Sequence, residues 1–502
     1  MVSISIELNT LVNRLSNANL SLASAGVQIP RYDRSRVTPG IVHLGIGNFH
    51  RAHQAIYADD CLAAGQLDWG IIGASLRSSE TRDALAPQDN LYTIVGHQDE
   101  QTSLRIVGSI GHILVAPEGP AQLLKALVDP RIRIVTLTVT EKGYTTDLAS
   151  RTLLKDHPDV RHDLEHVAAP RSVVGFLAEA IARRRERSVR PFTVLSCDNL
   201  PANGDTVRKI LLEFTAGRDT DLEHYIRDEV AFPSSMVDRI VPATTDEVRA
   251  EVSRKSGLRD AWPVMTEPYT QWVIEEQFPA GRPDWARSGA LFVGNVAPYE
   301  HMKLRLLNGA HSAIAAIGRV AGLETVDKAI GHPAIRTFIE GYWTEAGATV
   351  SRELNPGAYT RKLLERFANP ALGHRTEQIA TDASQKVPQR ILTPLRELRA
   401  KGLPNAHLVF AVAAWIRSCA GYDDSGKAFS LNDPTLTTWR GMPDQALCSA
   451  EETTSAFMSN SSVFGDELPR DIPFVHSVAS ALQIFRENGA VAAIAALSQN
   501  RI

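Results

Sequence analysis

Residues 41–55 read IVHLGIGNFHRAHQA, and they indicate how the N-terminal half of the chain folds. The apolar run from Ile41 to Gly45 follows Pro39-Gly40 and predicts a buried strand. The turn Gly45-Ile46-Gly47 comes next, and a helix is expected from His50 to Ala64. A strand, a glycine turn and a helix in this order are typical of a dinucleotide-binding unit.

Strand and helix patterns alternate through the first half of the chain. This alternation predicts an α/β fold with a Rossmann-type, doubly wound parallel sheet over residues 1–294. From residue 295 the pattern is mainly helical, so a mainly α-helical domain is expected over 295–502. A ligand is expected to face the carboxyl ends of the strands. The further predicted elements are strands at 69–76, 132–139 and 192–195, and helices at 121–128, 171–186, 299–322, 360–368, 387–401, 405–420 and 474–498.

Composition and charge exclude several classes of protein. The net charge of −4 provides no basic surface for nucleic acid or for a membrane. The chain has no apolar run of about 18 residues and no signal peptide at residues 1–30, so a cytoplasmic protein is expected. The chain has neither an H-E-x-x-H motif nor clustered Cys and His residues, which argues against a metal site. The four cysteines form no C-x-x-C pair and are expected to be reduced: Cys61, Cys197, Cys419 and Cys448.

The glycine turn is the predicted cofactor site. Gly45 permits the tight turn, and Gly47 lets the backbone approach a pyrophosphate at a helix N-terminus. The third glycine of the fingerprint is missing, because His50 stands in its place. An alternative interpretation is that the glycines serve only the steric needs of the turn. The predicted cofactor-binding residues are Gly45, Ile46, Gly47, Asn48, Phe49 and Glu80.

The loop after the second strand bears on the choice of cofactor. It reads Arg77-Ser-Ser-Glu80, and a carboxylate at Glu80 can hold the adenine ribose hydroxyls. This carboxylate would repel the extra phosphate of NADP, so NAD is favoured. Arg77 can pair with that phosphate, so NADP stays open, as does a plain solvated loop.

The segment 299–312, YEHMKLRLLNGAHS, carries the predicted catalytic groups. On an α-helix, Lys303, Asn308 and His311 fall within a wedge of roughly 140°. A lysine whose pKa is lowered by burial can take the proton of an alcohol, and an amide can stabilise the alkoxide. The imidazole can orient the substrate. A surface lysine beside a core histidine is the structural alternative.

The segment Ser196-Cys-Asp-Asn199-Leu-Pro201 follows a predicted strand and therefore lies where ligands bind. Asn199 can supply a second amide donor. The alternative is an Asx turn, since Asp, Asn and Pro favour turns.

Together these segments resemble the mannitol dehydrogenase family, also called the long-chain polyol dehydrogenases. The resemblance runs from about Pro39 to about Ala496. It rests on these motifs: IVHLGIGNFHRAHQA (41–55), TLTVTEKGY (136–144), FTVLSCDNL (192–200), MVDRIVP (236–242) and KLRLLNGAH (303–311).

The resemblance implies a metal-independent dehydrogenase that uses NAD, or less often NADP, and many such enzymes are monomers. Its small-molecule substrate would be a sugar alcohol or an aldonate. Lys303 would be the general base, Asn199 and Asn308 would stabilise the oxyanion, and His311 would orient the substrate. The resemblance further implies that Glu141 gates proton release, and that Asp238 and Lys386 contact the substrate.

The segment 374–390, HRTEQIATDASQKVPQR, favours one branch of this family. Mannitol-type members usually carry arginine where this chain has Gln378, and the segment more closely resembles fructuronate reductases, also called mannonate oxidoreductases. Their substrate has a carboxylate, which Arg375 or Arg390 can bind in a fork.

Alternatives stay open for the substrate and for the activity. Both arginines can instead form structural ion pairs, and mannitol with fructose is the alternative substrate pair. A hexitol phosphate also fits a basic pocket. A non-catalytic nucleotide-binding regulator would be expected to lack the intact lysine segment.

Overall fold

The computed structural model describes residues 13–98, 101–147, 150–433, 435 and 448–498. The chain divides into two compact units, Met1–Ala297 and Pro298–Ile502. The boundary expected from sequence, between residues 294 and 295, lies just before this division.

The first unit contains the strands of the described residues. Their bounds are β1 (Pro39–Leu44), β2 (Gly70–Ser75), β3 (Tyr92–Gln98), β4 (Gln101–Val107), β5 (Ile110–Val115), β6 (Ile134–Leu137), β7 (Thr146–Asp147), β8 (Thr152–Leu153), β9 (Thr193–Ser196), β10 (Ser235–Asp238), β11 (Val264–Thr266), β12 (Gln271–Glu275) and β13 (Leu291–Val293).

The central sheet has the order β5-β2-β1-β6-β9, and all its strands are parallel. This is the strand order of a dinucleotide-binding fold, in which the chain reverses direction across the sheet beside β1. The predicted doubly wound parallel sheet is therefore confirmed. Smaller sheets are formed by β10-β12-β13, β11-β3-β4 and β7-β8.

Both faces of the central sheet are buried, as a parallel sheet requires. Side chains alternate along β1, so that Val42 and Leu44 enter one hydrophobic core and Ile41 enters the other. The helices of this unit are α1 (Asn48–Ala52), α2 (Gln54–Ala63), α3 (Glu80–Leu85), α4 (Pro120–Val128), α5 (Pro158–Glu165), α6 (Val173–Glu186), α7 (Asn203–Ala216), α8 (Thr220–Glu229) and α9 (Asp246–Ser256).

The helix expected from His50 to Ala64 is broken in two. His53 has φ −126° and ψ −92°, which separates α1 from α2. Its ring Nε2 shares a hydrogen bond with the Gln271 carbonyl at 2.9 Å, so a contact with a distant strand fixes the break. Periodicity within the segment carries no sign of that contact.

The second unit is mainly helical, as expected. Its helices pack around one hydrophobic core that includes Leu306, Ile314, Phe338 and Trp415. They are α10 (Ala297–Met302), which begins at the division between the units, then α11 (Gly309–Val320), α12 (Val326–Gly331), α13 (Pro333–Gly347), α14 (Pro356–Phe367), α15 (Thr376–Ala380), α16 (Ala383–Val387), α17 (Thr393–Ala400), α18 (Ala406–Ser418), α19 (Ala450–Met458), α20 (Ser461–Phe464) and α21 (Ile472–Ser498).

Two stretches of π-helix interrupt the α-helices of this unit. The first π-turn, Lys303–Asn308, joins α10 to α11, and the second π-turn, Pro388–Leu392, joins α16 to α17. The two π-turns pack against each other. Both fall inside segments for which the sequence predicted plain α-helix, at 299–322 and 387–401.

No helix in the described part of the chain is both long and apolar enough to cross a membrane. Within the same residues, no group of three or more His, Cys, Asp or Glu side chains is arranged to hold a metal ion.

Candidate active site

The glycine turn after β1 is closed by backbone contacts. Gly45 has φ +98°, a conformation that L side chains rarely adopt. A Cβ at this position would overlap the Thr138 carbonyl oxygen at the end of β6. The Gly45 N–H donates to the Ala74 carbonyl at 2.9 Å, which ties the turn to β2. Gly45 is therefore required by the fold itself.

Gly47 is in a different situation. It precedes α1 in an extended conformation, and the nearest atom to a Cβ built there would be the Gly45 carbonyl oxygen, 3.9 Å away. The described residues therefore leave open the space that a side chain at position 47 would fill. Because the first N–H groups of α1 have no intrahelical acceptor, this space suits a pyrophosphate.

The neighbouring residues of the turn are held in place by the protein. The Ile46 side chain is buried against Gly73 of β2, so only its backbone is placed for a ligand. The Asn48 Oδ1 accepts from the Arg51 guanidinium at 2.6 Å. The Phe49 ring stacks on His53 with 5.1 Å between ring centroids.

His50, at the position of the missing third glycine, makes the contact between helix and strand. Its ring stacks on His43 of β1 with centroids 3.3 Å apart and planes 12° apart. Burial lowers the pKa of His43 to about 3, and it holds the pKa of His50 well below its usual range. Both rings are therefore neutral near pH 7, and they stack without charge repulsion.

Glu80 and Arg77 lie after β2, as predicted, and both are exposed. Glu80 is in the first turn of α3, while Arg77 precedes the helix. Glu80 remains a candidate for contact with the adenine ribose hydroxyls, and Arg77 for contact with the extra phosphate of NADP.

Two further predicted residues, Asn199 and Asp238, follow β9 and end β10. The Asn203 amide joins the carboxyl end of β9 to the start of β10, because it donates to the carbonyls of Ser196, Asp198 and Ser235 and accepts from the Ser235 N–H. Asn199 is exposed in the loop after β9.

Two further predicted residues lie in the same unit. Asp238, the last residue of β10, is buried. Glu141 follows β6 in the short 3-10 helix Glu141–Tyr144, and its side chain lies outside the described residues.

In the second unit, Lys303 begins the first π-turn and Asn308 ends it. Bonding follows the i+5 pattern, since the Gly309 N–H donates to the Leu304 carbonyl. Residues five apart therefore lie nearly in line, whereas an α-helix would separate them by about 140°. The expected 140° wedge is thus wrong for this pair, and Lys303 and Asn308 share a narrower face. Lys303 is buried, with 8% of its surface exposed.

His311, one turn further along α11, lies in an aromatic and basic environment. Its ring packs on Phe367 at 4.3 Å and meets His374 edge-on at 5.2 Å. Burial holds the His311 pKa well below its usual range, and the nearby His374, Arg366 and Arg390 lower it further. The ring is therefore neutral. Its Nε2 is buried without a hydrogen-bond partner among the described residues, which suits a polar ligand.

The three basic residues predicted to bind substrate are placed differently. Arg375 is 58% exposed and lies 3.7 Å from the Glu377 carboxylate. The Lys386 ammonium is half-buried and donates to the Thr381 carbonyl at 2.6 Å. Arg390, on the second π-turn, donates to the Ser312 hydroxyl at 3.1 Å. Of the three, Arg390 is the one whose charge reaches His311.

Comparison with known proteins settles the family. Residues 39–287 match the mannitol dehydrogenase Rossmann domain, and residues 295–485 match the mannitol dehydrogenase C-terminal domain. The chain belongs to the mannitol dehydrogenase family. The resemblance noted from the sequence motifs is confirmed, and the chain is an oxidoreductase of this family.

Individual relatives in the mannitol dehydrogenase family differ in substrate. The D-mannonate oxidoreductase of Escherichia coli (strain K12) is 41% identical, with 93% of this chain and 97% of that protein covered. A mannitol 2-dehydrogenase of Pyrenophora tritici-repentis is 40% identical, with 96% and 85% covered. The Pseudomonas fluorescens mannitol 2-dehydrogenase, solved as a ternary complex with NAD and D-mannitol, has a TM-score of 0.86 at 34% identity, with 97% and 99% covered.

Three residues near the predicted catalytic groups were missed by the sequence analysis. His374 and Arg366 lie near His311, and no motif in the sequence distinguishes them from other basic residues. Gly309 was also missed, although a glycine inside a helix costs about 1 kcal/mol relative to alanine and so marks a close approach. A Cβ there would overlap the hydroxyl of Tyr342.

Proposed function

We propose that the chain catalyses reversible hydride transfer between NAD and a secondary alcohol of D-mannonate, with D-fructuronate as the ketone. The observation that carries this proposal is the placement of Arg390 beside Ser312 and within electrostatic reach of His311. A guanidinium can bind a carboxylate through two parallel hydrogen bonds. The 41% identity to a D-mannonate oxidoreductase supports the same substrate.

In the proposed oxidation, Lys303 accepts the hydroxyl proton while the C–H bond breaks and its electron pair leaves as hydride. The Asn308 and Asn199 amides donate hydrogen bonds to the oxygen as negative charge develops on it. His311, being neutral, holds a substrate hydroxyl by a hydrogen bond. In reduction, Lys303 returns the proton to the forming alcohol.

The cofactor would be held by the first unit. When bound, NAD supplies the hydride acceptor. The open space at Gly47 and the N-terminus of α1 would receive its pyrophosphate, and Glu80 would bind the ribose hydroxyls. Arg77 supports NADP as the alternative, and comparing NADH with NADPH at equal concentration would separate the two.

The alternative substrate pair is D-mannitol and D-fructose. It is supported by the 40% identity to a mannitol 2-dehydrogenase and by the TM-score of 0.86 to the complex with D-mannitol. A neutral polyol would make no use of the charge on Arg390, so that guanidinium is the point at which the two hypotheses differ.

The decisive experiment compares NADH oxidation with fructuronate and with fructose, in the unmodified chain and in Arg390→Gln. If the proposal is right, fructuronate is the better substrate. The variant then raises KM for fructuronate by about 10- to 100-fold, since a charge-assisted hydrogen bond contributes about 1.5–3 kcal/mol. KM for fructose should change little.

Arg375→Gln is the matched control, because this arginine is exposed and lies beside Glu377. Its KM for fructuronate should stay within about twofold of the unmodified value, as surface ion pairs contribute little. A preference for fructose, or equal effects of the two arginine variants, would reject the carboxylate substrate. Turnover that survives in Lys303→Ala would reject the catalytic assignment as well.

A further inference from the structure

The Tyr342 hydroxyl lies between the two π-turns. Tyr342 is on α13 and is fully buried. Its oxygen is 3.2 Å from the Arg305 carbonyl in the first π-turn and 3.3 Å from the Arg390 carbonyl in the second. One side chain thus contacts both the segment with the proposed base and the segment with the proposed carboxylate-binding arginine.

The Arg305 carbonyl needs a donor because of the first π-turn. In an α-helix it would accept from the N–H of Gly309, four residues later. Here the Gly309 N–H instead bonds to Leu304, five residues back. Where the hydrogen bonds change from i+5 to i+4 spacing, the Arg305 carbonyl has no N–H partner within the helix. A buried carbonyl without a hydrogen-bond donor lowers the free energy of unfolding.

The Arg390 carbonyl needs a donor for a different reason. The residue four positions later is Pro394, which has no N–H. The N–H of Thr393, three residues after Arg390, already bonds to the Pro388 carbonyl. The single proton of the Tyr342 hydroxyl is shared between the two carbonyls, at 3.2 Å from the Arg305 oxygen and 3.3 Å from the Arg390 oxygen.

The fit around this hydroxyl is close. A Cβ on Gly309 would overlap the Tyr342 oxygen and lie 2.9 Å from the Arg390 carbonyl oxygen, so residue 309 has to be glycine. Burial raises the Tyr342 pKa well above its usual value, so the phenol keeps its proton at any working pH. On the next residue, the Trp343 indole N–H donates to the Leu306 carbonyl at 2.8 Å.

We propose that Tyr342 is a positioning residue, whose hydroxyl fixes the two π-turns relative to each other. Through it, Lys303 and Asn308 on one turn keep a set distance from Arg390 on the other. This inference rests on the proposed roles of those three residues. Trp343 contributes by fixing the first π-turn alone.

The test is steady-state kinetics of Tyr342→Phe, which removes the donor and keeps the ring. We expect kcat to fall by on the order of 10- to 100-fold, since small displacements of catalytic groups have effects of that size. KM for fructuronate should rise several-fold, while KM for NADH stays unchanged.

Trp343→Phe provides a second variant should Tyr342→Phe fold poorly. Its indole N–H bonds to the first π-turn, while its ring also stacks on Phe367, so the variant should lower kcat with a smaller rise in KM for fructuronate than Tyr342→Phe shows. Tyr32→Phe is the matched control, as it removes a half-buried phenol hydrogen bond to Asp59 (2.5 Å) in the other unit. It should lower the unfolding midpoint without changing the kinetics.

The outcomes separate the two proposals. If Lys303→Ala is inactive and Tyr342→Phe keeps full kcat and an unchanged KM for fructuronate, the positioning role is rejected and the proposed function stands. If Lys303→Ala keeps its activity, the proposed function fails whatever Tyr342→Phe does. If Tyr342→Phe and Tyr32→Phe behave alike, Tyr342 only stabilises the fold.

Discussion

Gly45 and Gly47 stand two residues apart in the same turn, but the space beside each Cα differs. At Gly45 the space is taken by the Thr138 carbonyl, and the backbone has φ +98°. At Gly47 nothing in the described residues comes closer than 3.9 Å. Gly45 is therefore required by the fold, whereas Gly47 leaves space for a ligand.

This contrast predicts opposite effects of two alanine substitutions. Gly47→Ala should leave the unfolding midpoint unchanged and weaken NADH binding by about tenfold or more, because the methyl group enters the space proposed for the pyrophosphate. Gly45→Ala should lower the midpoint as well, since it combines overlap with a strained φ.

Denaturant titration and NADH fluorescence on the same two samples would measure both effects. A Gly47→Ala chain that binds NADH normally would contradict the proposed role of the turn.

At the scale of elements, hydrophobic periodicity was a good guide to the central sheet. The strand predicted at 132–139 is observed as Ile134–Leu137, and the one at 192–195 as Thr193–Ser196. Buried strands carry their signal locally, in runs of β-branched and apolar residues. The break at His53 depends on Gln271, which is far away in sequence, so no local pattern could reveal it.

The candidate site was predictable in its residue types but only partly in its geometry. The motif around Lys303 identified the segment that we propose to be catalytic, while a fixed advance of 100° per residue hid the π-turn. Arg375 and Arg390 could not be told apart by sequence, because each is a basic residue in a polar stretch. Only the fold shows that Arg375 is exposed beside Glu377.

The contact that Asn203 makes between β9 and β10 can be tested by substitution. Asn203 is buried and bonds to Ser196, Asp198 and Ser235, so Asn203→Ala would leave several backbone groups unpaired. We expect a loss of about 2–4 kcal/mol in the free energy of unfolding.

Turnover of Asn203→Ala should also fall, because the loop with Asn199 loses its support. Asn203→Asp would place a buried carboxylate against three carbonyl oxygens, so it should lose at least as much stability as Asn203→Ala. An Asn203→Ala chain with full stability would show that this amide is dispensable.

Across the whole molecule, buried histidines link stability to pH. Burial lowers the pKa of His43 to about 3, and it lowers those of His50 and His311 well below their usual values. In the unfolded chain these rings take up protons below about pH 6.5. The unfolded state then binds more protons than the folded state, so stability rises with pH over this range.

We therefore expect the free energy of unfolding to be steady above about pH 7 and to fall as the pH drops from 6.5 towards 3. Each unit of pKa shift corresponds to about 1.4 kcal/mol, so the fall should reach several kcal/mol. Denaturant titrations from pH 7.5 to 4.5 would measure the slope.

His43→Gln should reduce this slope, and His112→Gln provides the control, as His112 is exposed. If the free energy of unfolding depends on pH equally in both variants and in the unmodified chain, groups other than His43 cause the acid sensitivity.

The first π-turn has a consequence for how this chain tolerates changes in length. A π-turn holds one residue more than the α-helical turn it replaces, so the helix from Ala297 to Val320 contains a single extra residue. Removing Leu304 would let each N–H return to the carbonyl four residues back. Lys303 would then stand four residues before Asn308, about 40° away around a regular α-helix, so the two residues would still share a face. In genetic terms, the loss of one in-frame codon here should remove the π-turn and keep these two residues on one face of the helix.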